Sequence, residues 1–282
     1  MGNSKMSRSR KSFEFQPQSD LSGATITQEG DILQLGSHRI ICGDSTSGEV
    51  VEKLLDNEKP VLMVTEPPYE KNYSGIWKQR LDPSNFFENP FLHASFKLFP
   101  GNVCYIWHSS LEGSKVEKAL RDLGFECHFQ IIWAKNEVDL TESDFHWHHE
   151  PCWYAVRKRC SHHWQGSETE TTLWSYGSVH NTSNAYSEDM RTIHPAQKPL
   201  ECMARPIRNN SDFGDAVYDP FSGSGSTLIA CEKLDRRCYA VEIAPKYCDA
   251  IVKRWIDYRR KLGADCTVTK NGAVAEEYFS SY

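Results

Sequence analysis

Residues 217–234, VYDPFSGSGSTLIACEKL, decide the fold. A short apolar run closes on Asp219, a turn carries Gly223 and Gly225, and apolar residues with helical spacing start near Ser226. A strand, a glycine turn and a helix in that order form one unit of an open α/β sheet. Glycines at such a turn let the main chain approach a ligand with no Cβ in the way. The spacing is FxGxG and not GxGxxG, so the third glycine of the dinucleotide fingerprint is absent. A dinucleotide and a nucleoside-like cofactor both stay open on these residues. Glu242 lies 17 residues beyond Gly225 and ends the next strand. A carboxylate there can accept hydrogen bonds from both hydroxyls of a ribose. The plainer reading is a tight turn with a surface glutamate.

Outward from this unit the chain alternates strands and helices. HRIICGD (38–44), PVLMVTE (60–66), NVCYIWH (102–108), DAVYDPF (215–221) and CYAVEI (238–243) read as strands. GEVVEKLLDN (48–57), NFFENPFLHASFKLF (85–99), EGSKVEKALRDLG (112–124), ECMARPIRNN (201–210) and STLIACEKLD (226–235) read as helices. A long helix over 245–262 has proline in its first turn. CHFQIIWAK (127–135) and PCWYAVRK (151–158) have no helix between them and are expected to pair antiparallel. The pattern predicts an α/β fold with a mostly parallel, doubly wound sheet and one antiparallel strand. Residues 1–22 read as a disordered basic tail, 23–262 as the catalytic body, and 263–282 as a C-terminal extension. Within the body, 136–193 is a loop-rich insert with no clear period.

The chain has 282 residues, 39% hydrophobic and 25% charged, which is ordinary globular composition. Its net charge of −6 gives no overall basic field to draw in nucleic acid or membrane. Ten scattered cysteines form no CxxC pair and read as reduced thiols of a cytoplasmic protein. No stretch approaches the roughly 20 apolar residues of a membrane span. The start MGNSKM has Met6 where a myristoylation signal wants Ser or Thr.

Carboxylates recur at predicted strand ends: Asp44, Glu66, Asp219 and Glu242. Ligands of open α/β sheets sit in the crevice beyond the carboxyl ends of the strands, although acids there also cap helices. One of these strands ends in TEPPY (65–69), a carboxylate followed by two rigid residues and an aromatic ring.

In chain order, GDS (43–45), TEPPY (65–69), HPAQKP (194–199), DPFSGSGS (219–226) and AVEI (240–243) resemble the beta group of DNA amino-methyltransferases. HEPCWYAVRK (149–158) and PKYCDAIVKRW (245–255) are similar to the same family, and the resemblance covers about 35–260. It implies a Rossmann-like methyltransferase fold with a circularly permuted motif order, the catalytic tetrapeptide preceding the cofactor glycines. It also implies S-adenosylmethionine as methyl donor and double-stranded DNA as partner, in a bacterial or phage-encoded protein. Many relatives dimerise, though no stretch here signals it.

Carried over residue by residue, the resemblance gives Phe221, Gly223 and Gly225 to the methionine part of the cofactor, with Asp219 and Ser226 at the same turn. Glu242 would hold the ribose and Asp44 would face the adenine. His194, Gln197, Lys198 and Pro199 would close the cofactor pocket. Glu66, Pro67, Pro68 and Tyr69 would form the catalytic pocket. The family normally has Asp, or Ser in many cytosine-N4 members, where this chain has Glu66. Glu keeps the charge but adds a methylene, roughly 1.5 Å of reach. A carboxylate points to adenine N6 as the target. The alternatives are cytosine N4, or a silent homologue that binds cofactor and DNA without turnover.

The insert 136–193 is the expected target-recognition region. Trp147, Arg157, Arg159 and Arg191 are its candidate nucleic-acid contacts, since aromatics among basic residues suit base stacking and phosphate contact. His146, His148, His149, Cys152, Cys160, His162 and His163 match no common zinc spacing, so no metal is expected. The basic residues of 253–261 read first as a solvated helix face.

Overall fold

A computed structural model of the chain describes residues 25–68, 89–139, 144–177 and 197–280. The expected tail 1–22, Tyr69, Arg191 and His194 lie outside these residues.

Among the described residues, one sheet of eleven strands organises the fold. Its strands are β1 (Ile32–Leu35), β2 (His38–Cys42), β3 (Leu62–Thr65), β4 (Val103–Trp107), β5 (Phe125–Asp139), β6 (Trp147–Arg157), β7 (Leu173–Ser175), β8 (Ala216–Asp219), β9 (Arg237–Glu242), β10 (Val268–Lys270) and β11 (Ala273–Val274). They lie in the order β11-β10-β1-β2-β9-β8-β3-β4-β6-β5-β7. The run β2-β9-β8-β3-β4 is parallel throughout. β6 is antiparallel to both β4 and β5, as the paired segments predict.

The expectation of a single antiparallel strand is too simple. β1 is antiparallel to β2 and to β10, and β11 is antiparallel to β10. These edge strands have two to four residues each, too few to show a period of two in the sequence. In the other direction, β5 and β6 are longer than their apolar cores and run on through polar residues as a projecting hairpin.

Alternate residues of each central strand feed two cores, because successive side chains point to opposite faces. Leu62 and Val64 join a core on one face, while Met63 joins the core on the other. The second face is covered by α1 (Gly48–Leu55), α2 (Asn89–Phe96) and α3 (Gly113–Asp122), through Val51, Leu54, Phe91, Leu92 and Val116. The first face is covered by α4 (Leu200–Asn210), α5 (Ser226–Lys233) and α6 (Pro245–Lys261), through Ile207, Leu228, Ile251 and Trp255. A short α7 (Glu276–Ser280) adds Phe279. Pro206 sits inside α4 and is buried.

Strands with both faces covered read as near-continuous apolar runs, as VCYIW of β4 does. No disulfide links the described cysteines, and most are buried. No helix among the described residues is long and apolar enough to cross a membrane.

Candidate active site and cofactor cradle

Because β2, β9, β8 and β3 are parallel neighbours, their carboxyl ends share one rim. Residues distant in sequence meet there. Thr65, the last residue of β3, donates its hydroxyl to Asp219 Oδ1 at 2.6 Å across the strand boundary. The strand leading to Glu66 is thereby fastened to the strand leading to the glycine turn.

Asp219 is fully buried and also accepts the Phe221 amide at 3.1 Å. Burial pushes its carboxyl up to about 6, and the bonds from Thr65, Thr227 and Phe221 only partly offset this. Glu242 is likewise buried. Its Oε2 accepts the Gly223 amide at 2.8 Å and its Oε1 accepts the Ala244 amide at 2.9 Å. Burial again dominates and raises this carboxyl to about 7.

Asp44 is partly buried and accepts both the amide and the hydroxyl of Thr46 at 2.8 Å. Its carboxylate thus organises the turn into α1 as a local Asx turn does. Phe221 packs its ring 5.7 Å from Phe91 and 6.4 Å from Phe96 under the turn.

Gly223 and Gly225 both have positive φ, 53° and 76°, where glycine has no steric penalty. A Cβ on Gly225 would stand 2.9 Å from Ile251 Cγ2 of α6. The second glycine is therefore required by the packing of the turn against a helix, a role the sequence reading gave to ligand approach.

Arg254 of α6 is buried and donates to the Ser224 carbonyl at 2.9 Å and to Ser226 Oγ at 3.1 Å, clamping the turn from below. The sequence reading placed it on a solvated basic face. Its position among Ile251, Val252, Trp255 and Ile256, all buried, was the available signal. The Ser222 hydroxyl is buried with no hydrogen-bond partner among the described residues. A buried turn with positive-φ glycines, an orphan hydroxyl and a flanking carboxylate of raised pKa suits a ribose-bearing, positively charged ligand.

The catalytic candidates are partly in view. Pro67 and Pro68 are buried, and Glu66 is largely shielded. Lys198, expected at the cofactor pocket, sends its ammonium to Glu66 Oε1. The same ammonium lies 2.7 Å from Glu150, and Glu150 is 2.7 Å from Lys135. Gln197 is buried beside it. Ser226 Oγ donates to the Lys198 carbonyl at 3.2 Å, joining this segment to the glycine turn. Glu150 and Lys135 were not singled out from the sequence.

The nucleic-acid candidates separate. Trp147 is exposed on the projecting hairpin at the rim end of β6, near the exposed Phe145. Arg157 is at the opposite end of β6. Its guanidinium donates to the carbonyls of Gly101, Leu123 and Phe99 at 3.2, 3.0 and 3.1 Å, and its carbon lies 4.3 Å from the Phe125 ring centre. Those contacts make Arg157 a brace between loops, with its fork turned to main chain. Arg159 is exposed just beyond it, with φ 62°. Of the His/Cys-rich insert, only His163 joins a group with metal-ligand spacing among the described residues, together with Asp212 and Asp215.

A family model described as DNA methylase, of N6/N4 type, matches residues 61–253. The chain is 25% identical over 240 residues to the Type II methyltransferase M.HpaI of Haemophilus parainfluenzae, covering 77% of this chain and 73% of that protein. It is 23% identical over 245 residues to the orphan methyltransferase M.BamHII of Bacillus amyloliquefaciens, covering 70% and 89%. Among solved structures, the M1.HpyAVI–SAM complex superposes with a TM-score of 0.59 at 24% identity, over 76% of this chain and 97% of that one. The cytosine-N4-specific PvuII DNA methyltransferase superposes with a TM-score of 0.59 at 16% identity, over 87% and 91%.

Proposed function

The chain belongs to the N6/N4 DNA methylase family, and from that premise we propose that it methylates the exocyclic N6 of adenine in double-stranded DNA. The observation that carries this reading is the position of Glu66. Its carboxylate stands at the end of β3, one strand from the glycine turn that follows β8. A carboxylate at this place, and not a hydroxyl, favours adenine N6 over cytosine N4.

S-adenosylmethionine, the methyl donor of the family, supplies an activated methyl group on a sulfonium when bound. Glu242 fits its ribose, and Asp219, Phe221, Gly223, Gly225 and Ser226 fit its methionine part. Asp44 fits its adenine side. His194 and Gln197 complete the wall in this reading.

The residues of the Pro-Pro corner act on the base. An exocyclic amine conjugated to a purine is a poor nucleophile because its lone pair is delocalised. Two acceptors on its hydrogens, the Glu66 carboxylate and the Pro67 carbonyl, favour a tetrahedral nitrogen with its lone pair free. Pro67 and Pro68 fix φ, so that carbonyl needs no reordering as the reaction proceeds. Glu66 then takes the proton that the methylated amine releases in this reading. Tyr69 offers a ring face for a base swung out of the duplex. The exposed Trp147 and Phe145 carry DNA contact on the hairpin, with Arg159 and Arg191 as phosphate partners.

The test is transfer of label from methyl-tritiated S-adenosylmethionine to unmethylated DNA, followed by digestion and identification of the nucleoside. N6-methyl-2′-deoxyadenosine is expected; N4-methyl-2′-deoxycytidine would replace the adenine reading. A second reading, a silent homologue, draws on Glu66 standing where the family has Asp. Glu66→Asp run beside the wild type separates the two: label from the Asp variant alone would favour silence.

A further inference from the structure

The ion pairs around Lys198 form a chain of alternating sign, Glu66–Lys198–Glu150–Lys135. Each member comes from a different place: the end of β3, the segment before α4, β6 and β5. Lys198 is only 3% exposed, and Glu66, Glu150 and Lys135 are 15%, 18% and 12% exposed at their side chains. An ammonium so buried is costly unless well paired. Two carboxylates around one ammonium leave a net negative charge, and Lys135 restores neutrality.

Burial alone would raise the Glu150 carboxyl, but Lys198 and Lys135 outweigh it and hold it at about 2. Burial alone would lower the Lys198 ammonium, but Glu150 and Glu66 reverse this and raise it. Glu150 and Lys198, the middle pair, therefore both stay charged through neutral pH.

We propose that Lys198 is the positioning residue for Glu66, and that Glu150, braced by Lys135, fixes Lys198 in turn. This rests on the methyltransferase reading and deepens it. The longer side chain of Glu has one more rotatable bond than Asp, and a misplacement of about 1 Å at a reacting centre can cost about a hundredfold in rate. The ammonium removes that freedom by holding one carboxylate oxygen. The Lys198 main chain is itself bonded to Ser226, so the acid that grips the base is referenced to the turn that cradles the donor. Glu150 and Lys135 lie at the base of the β5–β6 hairpin, so the arm proposed to meet DNA shares the same anchor.

The experiment uses the full chain and a double-mutant cycle in label transfer, with cofactor affinity measured by calorimetry. Lys198→Met is expected to lower kcat about a hundredfold while affinity for S-adenosylmethionine holds. In a Glu66→Gln background the same change should cost nothing further, and Lys198→Arg should restore part of the rate. Additive losses in the cycle would overturn the proposal. So would a loss of cofactor affinity as large as the loss of kcat, which would return Lys198 to the cofactor wall. Lys198→Met leaves two carboxylates buried together, so Lys198→Met/Glu150→Gln, which removes one charge of each sign, is run beside it.

A readout independent of turnover is the Lys198 ammonium resonance in 15N-lysine-labelled protein, identified by its loss in Lys198→Met. It should shift in both Glu66→Gln and Glu150→Gln, and a resonance indifferent to both would sink the chain of contacts. A wild type that transfers no label defeats the methyltransferase reading instead, whatever the resonance does.

Discussion

Thr65 and Asp219 are joined side chain to side chain at 2.6 Å although 154 residues separate them in sequence. The bond crosses from the strand that carries the Pro-Pro corner to the strand that carries the glycine turn. A buried carboxylate depends on such donors, and removing one of several hydrogen bonds to a charged group costs about 1.5–3 kcal/mol. Thr65→Val keeps shape and removes the hydroxyl. The carboxyl of Asp219 sits at about 6, so the missing donor matters most when the group is ionised. The variant should therefore lose more thermal stability at pH 8 than at pH 5. Equal losses at the two pH values would count against the bond's role.

Glu242 gives the pH dependence its sign. Burial raises its carboxyl from the ordinary 4.5 to about 7. A group whose folded pKa is raised contributes stability below its unfolded pKa and loses it as pH rises through the folded one. The cofactor-free chain should lose this contribution between about pH 4.5 and 7, and Asp219 adds to the same trend from about 3.8 to 6. Glu242→Gln should flatten the Tm–pH curve in that window. It should also weaken S-adenosylmethionine about tenfold or more, since a charged acceptor is lost. Calorimetry and thermal melts across pH 4–8 check both, and an unflattened curve would show that the carboxyl titrates elsewhere.

Gly225 separates ligand approach from packing. With φ at 76° and Ile251 Cγ2 2.9 Å from where a Cβ would stand, alanine there meets backbone strain and a fixed neighbour together. The left-handed conformation costs about 1–2 kcal/mol and overpacking about 1–3 kcal/mol more. Gly225→Ala should lower Tm in the absence of any ligand. A variant of wild-type stability with poor cofactor binding would instead make Gly225 a ligand contact alone.

The central βα pattern was legible because apolar runs bounded by turn residues report local structure, and the two glycines after Asp219 mark a tight strand-to-helix turn. What joins the runs was less so. That β3 lies beside β8 depends on a crossover that skips two sheet positions, which only the resemblance in motif order suggested. The edge strands ILQL and VTK are too short for their period to show. Lys198 and Glu150 are each unremarkable in sequence, and only the folded rim makes them partners. Arg254 shows the converse: its charge suggested solvent, while its place among buried neighbours on α6 foretold burial.

The two ends of β6 give the last test. Arg157 and Trp147 were both candidates for DNA contact, and the strand holds them at opposite ends. Arg157 spends its guanidinium on three main-chain carbonyls and the face of Phe125. Removing a charged donor from such a set costs about 1.5–3 kcal/mol, so Arg157→Ala should lower Tm clearly. The salt dependence of DNA binding should hardly change, because no phosphate contact is lost. Trp147→Ala should do the reverse, leaving Tm in place and weakening DNA by about 1–3 kcal/mol, the worth of one base–aromatic stack. Salt titrations of DNA affinity for both variants, beside their melting curves, decide it. A shallower salt slope in Arg157→Ala would mean that the guanidinium leaves its carbonyls to meet phosphate.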